Sequence, residues 1–129
     1  MSINQSAAGK LQNEQQSLND LIVDSMQDIK ASKIIKLDLR KLDDRPTDYF
    51  IICEAESSVQ VKAIAQNIYR RVKTEMSMTP GHFEGREGAN WVLVDFFDTV
   101  AHVFDPETRD FYQLEELWGD AHVTEYEDL

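Results

Sequence analysis

The sequence predicts an α/β (α+β) protein in which a single mixed β-sheet of about five strands carries helices packed on it. Two segments repeat apolar residues at spacings of three and four, which indicates helices with one buried face. Shorter runs either alternate apolar and polar residues or are apolar throughout, which is typical of strands. The 129 residues, 42% of them hydrophobic, suffice for one domain with its own core.

The first predicted element is a helix from about Glu14 to near Ala31. Its inward stripe comprises Leu18, Leu21, Ile22, Ser25, Met26 and Ile29. The preceding residues 1–13 are polar, small and aperiodic, so we expect them to form a flexible tail. We place the folded domain at residues 14–119 and an acidic tail at residues 120–129.

Two strands follow the first helix. In segment 33–42 leucines alternate with charged residues, which predicts a strand with one buried face. The stretch "DDRPTD" interrupts this pattern, because Pro46 lacks the N–H group that a central strand must donate. Segment 49–55, "YFIICEA", is apolar on both sides and is therefore predicted to be a central strand.

A second helix is predicted to begin at Ser57 or Ser58, because either hydroxyl can accept an N–H bond from the first helical turn. Its inward-facing residues are Val61, Ile64, Ala65, Ile68 and Val72. A turn at Pro80-Gly81 and a short extended piece at 82–84 come next. After a hairpin and a further turn, a last short helix carries Leu114, Leu117 and Trp118.

Residues 91–96 and 99–104 are predicted to form an antiparallel hairpin around a two-residue turn. The expected cross-strand pairs include Leu93 with His102 and Asp95 with Val100. One face is apolar and would pack under the helices: Val92, Val94, Phe96, Ala101 and Val103. The other face is mixed: Trp91, Leu93, Asp95, Val100, His102 and Phe104.

The charge balance disfavours several classes of partner. Lys and Arg number 13 against 24 Asp and Glu, which gives a formal net charge of −11. Nucleic acid and anionic membranes would be repelled, whereas a basic protein surface would be attracted. The single cysteine, Cys53, cannot form an intrachain disulfide, and no apolar run approaches the roughly 20 residues of a membrane span. With no signal-peptide pattern either, we expect a cytoplasmic protein.

The mixed hairpin face admits two interpretations. A face left to water would be mostly polar, and a buried face would not carry an uncompensated aspartate, because burying one charge is costly. Trp91 beside Asp95 and His102 therefore suggests a surface that a partner covers, since tryptophan is frequent among interface anchors. In the alternative interpretation Trp91 caps the edge of the core, Asp95 is solvated and His102 is structural.

Catalytic motifs are weak in this sequence. Ser57 and Ser58 lie in no G-x-S-x-G turn, and the histidines lack the spacing of a metal site. Asp95 and Asp98 could in principle hold a cation, which keeps a divergent nucleotidyltransferase as an alternative. A strand followed by "SS" at a helix start resembles that fold, whose active members carry an Asp-x-Asp pair for Mg²⁺ about ten residues later. Here that position reads "IYRR", so we expect the scaffold without its catalytic carboxylates, metal or cofactor.

Three stretches carry a specific family resemblance: "LIVDSMQDIKASKIIKLDL", "DYFIICEAESSVQVKAIAQNI" and "GHFEGREGANWVLVDFFDTVAHVFDPETRDFYQLEELW". They resemble the ribosomal silencing factor S family, also called Iojap or YbeB-like, over roughly residues 14–119. The resemblance implies a non-enzymatic protein that binds the large ribosomal subunit through its fourteenth protein. It further implies that the bound protein blocks joining of the small subunit under nutrient limitation.

The resemblance also implies a docking surface on and around the hairpin. Its residues would be Glu84, Trp91, Leu93, Asp95, Asp98, His102, Tyr112 and Glu115. Trp91 would be the apolar anchor, the carboxylates would meet Lys or Arg, and His102 would add a hydrogen bond or pH sensitivity. Many family members have glycine where this chain has Phe97 in the turn, so the hairpin register needs a structural test. The same face could instead pair with itself in a dimer.

Overall fold

The structure, a computed structural model, describes residues 7–85 and 88–129. Within these residues, four helices and six strands follow one another along the chain. In chain order they are α1 (Ala7–Asp28), β1 (Ser32–Asp38), β2 (Tyr49–Glu54), α2 (Ser58–Met76), β3 (His82–Gly85), β4 (Trp91–Asp95), β5 (Thr99–Phe104), α3 (Pro106–Tyr112), α4 (Leu114–Leu117) and β6 (His122–Glu125).

The strands form one mixed sheet in the order β3-β4-β5-β2-β1-β6. β2 and β5 run parallel, and the other neighbouring pairs are antiparallel. Parallel neighbours need a long connection, and here α2, β3 and β4 lie between them in the chain. All six residues of β2 are buried, as predicted for a central strand. The predicted fold class is confirmed, with one strand more than the expected five.

α1 and α2 pack side by side on one face of the sheet and enclose the larger core. α1 buries Leu18, Ile22 and Met26 from its predicted stripe. All five inward residues predicted for α2 are buried: Val61, Ile64, Ala65, Ile68 and Val72. Each fully buried aliphatic side chain contributes roughly 1.5–3 kcal/mol. α2 begins after Ser57, whose side chain accepts the Gln60 N–H, so Ser57 is the N-cap.

The opposite face of the sheet carries a second, smaller core. Its buried residues are Ile35, Leu37, Leu39, Phe50, Ile52, Val100 and Phe104. Leu114 and Trp118 from the C-terminal segment pack against this core. Trp91 and Leu93 in β4 are only half-buried, and every residue of β3 is exposed. The C-terminal segment therefore covers the β1–β2 side of this face and leaves the β3–β4 side open.

The hairpin has the predicted register, with Leu93 opposite His102 and Asp95 opposite Val100. Phe97 adopts φ 75°, a left-handed conformation that costs a non-glycine residue roughly 1–2 kcal/mol. The Asp95 carboxylate offsets part of this cost by accepting the Phe97 N–H at 2.7 Å. A non-glycine turn is therefore compatible with the two-residue connection.

The N-terminal helix is longer than predicted. It begins at Ala7, so residues 7–13 are helical rather than part of a tail, while residues 1–6 lie outside the described residues. Sequence periodicity detects only the turns that bury a stripe. Once those turns are packed, each added residue gains a backbone hydrogen bond, so the helix propagates beyond them.

The C-terminal region contains two elements that we did not predict. The expected turn after β5 is helix α3, whose N-cap Asp105 accepts the Thr108 N–H at 2.7 Å and whose first residue is Pro106. Part of the expected tail, residues 122–125, is strand β6, which pairs with β1. A four-residue strand has little periodicity of its own, and its partner is distant in the sequence, so only folding brings the two together.

Candidate partner-docking face

Strand alternation brings several predicted site residues onto the open part of the sheet. In the β3–β4 pairing Glu84 lies opposite Leu93, on the side of the sheet away from α1 and α2. Trp91 and Asp95 share that side of β4, and Tyr112 of α3 packs against Trp91. We call these residues the docking face: Glu84, Trp91, Leu93, Asp95 and Tyr112. A shallow cavity of about 180 Å³ lies among Glu84, Gly85, Trp91 and Leu93.

Trp91 is the largest side chain of the docking face, and contacts with three other described residues hold it in position. Its ring stacks on Phe104 with centroids 4.8 Å apart and meets the Tyr112 ring at the same distance. Its indole N–H donates to Nδ1 of His102 at 3.1 Å. The residue nevertheless remains half-exposed. A large aromatic side chain held in one orientation loses little entropy when a partner covers it.

His102 lies beneath the docking face and not on it, because only 4% of the residue is exposed. Burial lowers the pKa of His102 to about 3, so its imidazole is neutral at physiological pH. Since Nδ1 accepts the Trp91 bond, the ring proton belongs on Nε2, and that buried atom has no partner among the described residues. The prediction that His102 forms a hydrogen bond directly with a partner is therefore replaced: His102 lies beneath Trp91 and holds its indole ring in place.

Asp95 is half-buried, and its carboxylate is partly used within the chain. One oxygen accepts the Phe97 N–H, and the other lies 3.9 Å from Nδ1 of His82. We did not predict His82 as a site residue. The alternation of β3 places it beside Glu84, and the same alternation in the sequence could have identified it.

Asp98 and Glu115 are separate from the docking face. Asp98 is exposed at the hairpin turn, where its backbone carbonyl accepts the N–H groups of Asp48 and Tyr49. The length of β4 puts it roughly 15 Å or more from Trp91. Glu115 accepts a bond from Nε of Arg109 at 2.9 Å. We did not predict a role for Arg109, because no local sequence pattern indicates which residues its side chain contacts.

One exposed apolar residue that borders the docking face was also missed. Phe111 is 79% exposed, and its ring lies 5.0 Å from that of Tyr112. An exposed apolar side chain beside Tyr112 extends the apolar surface that a partner could cover.

The cysteine and the N-cap serine, which are nucleophiles in many enzymes, both have structural roles here. Cys53 is fully buried, and desolvation raises the pKa of its thiol, which disfavours the reactive thiolate. Ser57 caps α2. Across residues 7–85 and 88–129, the structure contains no group of three or more His, Cys, Asp or Glu side chains placed to hold a metal ion. No helix in this part of the chain is long and apolar enough to cross a membrane.

The open part of the sheet carries Trp91 and Tyr112, and aromatic side chains are enriched at protein–protein interfaces. Sequence comparison makes the assignment specific. The family described as "Ribosomal silencing factor during starvation" matches residues 12–129, and the chain belongs to this family.

Relatives of the chain span bacteria and eukaryotes. It is 39% identical over 112 residues to the ribosomal silencing factor of Halalkalibacterium halodurans, covering 87% of this chain and 94% of that protein. Identity to the Bacillus subtilis ribosomal silencing factor is 38% over 111 residues, covering 86% and 92%. The chloroplastic protein Iojap of Zea mays is 36% identical over 94 residues, which cover 73% of this chain and 40% of that protein.

Solved structures show the same fold. A crystal structure of a Chromobacterium violaceum protein matches with a TM-score of 0.75 at 38% identity, covering 81% of this chain and 85% of the other. A crystal structure from Bacillus halodurans matches with a TM-score of 0.72 at 36% identity, covering 86% and 99%.

Proposed function

We propose that the protein is a cytoplasmic translational silencer that binds the large ribosomal subunit through its fourteenth protein and sterically blocks joining of the small subunit. Family membership supports the ribosomal setting. A mouse relative, 34% identical over 76 residues, is named mitochondrial assembly of ribosomal large subunit protein 1, which also points to the large subunit.

The observation that carries the proposal is the held, half-buried Trp91 at one end of a face that also carries the carboxylates of Glu84 and Asp95. Trp91 and Leu93 would fill an apolar depression of the partner. Glu84, Asp95 and, at the hairpin turn, Asp98 would meet lysine or arginine side chains. Because the aromatic group is already oriented by its neighbours, binding does not have to order it.

The net charge of −11 supports a basic partner. An acidic protein and a basic ribosomal protein attract each other over a Debye length, about 8 Å at physiological salt. Such attraction mainly raises the association rate and the salt dependence of binding, while the apolar anchor determines how slowly the complex dissociates.

In the proposed mechanism the protein occupies a surface and performs no chemistry. The enzyme alternative relied on Asp95 and Asp98 as a metal pair. The Asp95 carboxylate is instead engaged by the Phe97 N–H, and burial of Cys53 disfavours thiolate chemistry. A homodimer through the docking face would hide the same residues, so it would compete with ribosome binding.

Co-sedimentation tests the proposal directly. Purified large subunits and the protein are centrifuged through a sucrose gradient at low salt, and the protein is expected to move with the subunits. Trp91→Ala is expected to lower the affinity by about 2 kcal/mol or more, as hot-spot tryptophans do. Phe83→Ala is the matched control, because Phe83 is an exposed aromatic residue in β3 whose side chain faces α2.

The steric part of the proposal needs a second measurement. Light scattering during mixing of large and small subunits reports their joining. Wild-type protein is expected to suppress the signal in proportion to occupancy, while Trp91→Ala should require a correspondingly higher concentration. Wild-type protein that remains at the top of the gradient would refute large-subunit binding. Protein that binds without slowing subunit joining would refute the block alone.

A further inference from the structure

Arg109 of α3 connects three separate parts of the chain. One terminal nitrogen donates to the backbone carbonyl of Lys33 at 2.7 Å and to the carboxylate of Glu54 at 3.2 Å. Nε donates to Glu115 at 2.9 Å. The Arg109 side chain is 12% exposed and that of Glu54 is 9% exposed. A planar guanidinium can satisfy several acceptors in fixed directions, which a lysine cannot do.

These contacts attach α3 to β1 and β2, which lie on the other side of β5 from β4. At its other end, α3 is fixed where Asp105 donates its N–H to the carbonyl of Asn90, the residue before β4. Tyr112 lies one helical turn beyond Arg109, and its ring meets Trp91. The position of α3 therefore determines whether Tyr112 reaches Trp91.

We propose that Arg109 is a positioning residue for the docking face, and that Glu115 acts on partner binding through Arg109 and not by touching the partner. The inference rests on the proposed function. It reassigns Glu115, which the family resemblance placed among the contact residues. The ion-pair cluster of Arg109, Glu54 and Glu115 holds α3 so that Tyr112 completes the aromatic surface around Trp91.

Trp91 fluorescence tests the positioning step without any partner. The chain has two tryptophans, so a Trp118→Phe background leaves Trp91 as the only one. In that background Arg109→Ala is expected to red-shift the emission and to increase quenching by acrylamide severalfold, because Tyr112 no longer covers the ring.

Arg71→Ala is the matched control. Arg71 also joins separate elements through several carboxylates, namely Asp24, Asp28 and Glu75. It links α1 with α2, on the opposite face of the sheet. A general loss of stability would affect both variants, whereas the Trp91 signal is expected to change only in Arg109→Ala. Equal quenching in the two variants would overturn the positioning role.

A double-mutant cycle tests how Glu115 acts. Arg109→Ala and Glu115→Gln are each expected to weaken large-subunit binding about tenfold, and the double variant no further than Arg109→Ala alone. If Glu115 touched the partner directly, the two effects would multiply to about a hundredfold, and the inference would be wrong. Single variants that bind as tightly as wild type would also overturn it.

A variant that fails to fold and a failure of the proposed function can both be distinguished from a failure of the positioning role. If Arg109→Ala does not fold by circular dichroism, Arg109→Lys replaces it with the same expectations, because lysine keeps the charge but loses the fork. If wild-type protein does not bind large subunits, the proposed function fails. The fluorescence comparison then still decides whether Arg109 positions Tyr112 against Trp91.

Discussion

Acid is expected to destabilise the protein through His102. Burial lowers the pKa of this imidazole from its usual 6.5 to about 3 in the folded chain, while the unfolded chain keeps the usual value. Between these two values the unfolded state binds one more proton, so stability falls as the pH falls. This contribution of His102 to the free energy of unfolding is fully present above about pH 6.5 and is lost progressively toward pH 3.

The size of this effect follows from proton linkage. From pH 7.5 to pH 5.5 the unfolded imidazole becomes about 90% protonated while the folded one stays neutral. The free energy of unfolding should therefore drop by about 1.4 kcal/mol from this group alone. Protonation would also remove the acceptor of the Trp91 indole N–H, so the folded state has no way to accommodate the charge cheaply.

Urea denaturation of wild type, His102→Gln and His122→Gln at the two pH values measures the effect. Between pH 7.5 and 5.5 the free energy of unfolding of His102→Gln is expected to fall by about 1.4 kcal/mol less than that of wild type. This difference does not depend on the stability of the variant at pH 7.5. His122→Gln is the control, because its side chain is exposed on β6. The same pH-dependent loss in wild type and His102→Gln would refute the reasoning.

Three further outcomes are expected. Glu84→Gln should reduce large-subunit affinity at low salt more than at high salt, because it removes a charge at the docking face; co-sedimentation at two salt concentrations measures this, and a salt-independent effect would contradict it. Ser57→Ala should destabilise the protein by about 1 kcal/mol in urea denaturation through loss of the N-cap bond, unlike Ser58→Ala. Phe97→Gly should stabilise it by about 1 kcal/mol in the same assay, because glycine adopts the left-handed turn conformation without a clash; a loss of stability would contradict this.

Local patterns accounted for most of the fold. The stripe of α1, the buried face of α2 and the register of the hairpin all follow from periodicities of 3.6 and 2, which neighbouring residues determine. The missed elements differ in physical origin. α3 carried a readable signal, Asp105 followed by Pro106, which we interpreted as a turn. β6 carried almost none, because its pairing with β1 is non-local.

The candidate site was predictable only in part. Alternation grouped Trp91, Leu93 and Asp95 on one side of β4, and the structure places Glu84 beside them. The same alternation put His102 on that side of β5, but it could not show which of these residues a later segment covers. Nor could it show that Glu115 meets Arg109, since their contact depends on how α3 and α4 pack.

By itself, the sequence determined the two long helices, the central strands, the hairpin register and the acidic charge, because each depends on residues close together in the chain. Only the tertiary structure shows that His102 is buried, that Trp91 is half-buried, and that Arg109 forms ion pairs with both Glu54 and Glu115. The burial of these side chains depends on segments distant in the sequence that pack against the sheet. Such packing is not visible in the local periodicity of the residues that become covered.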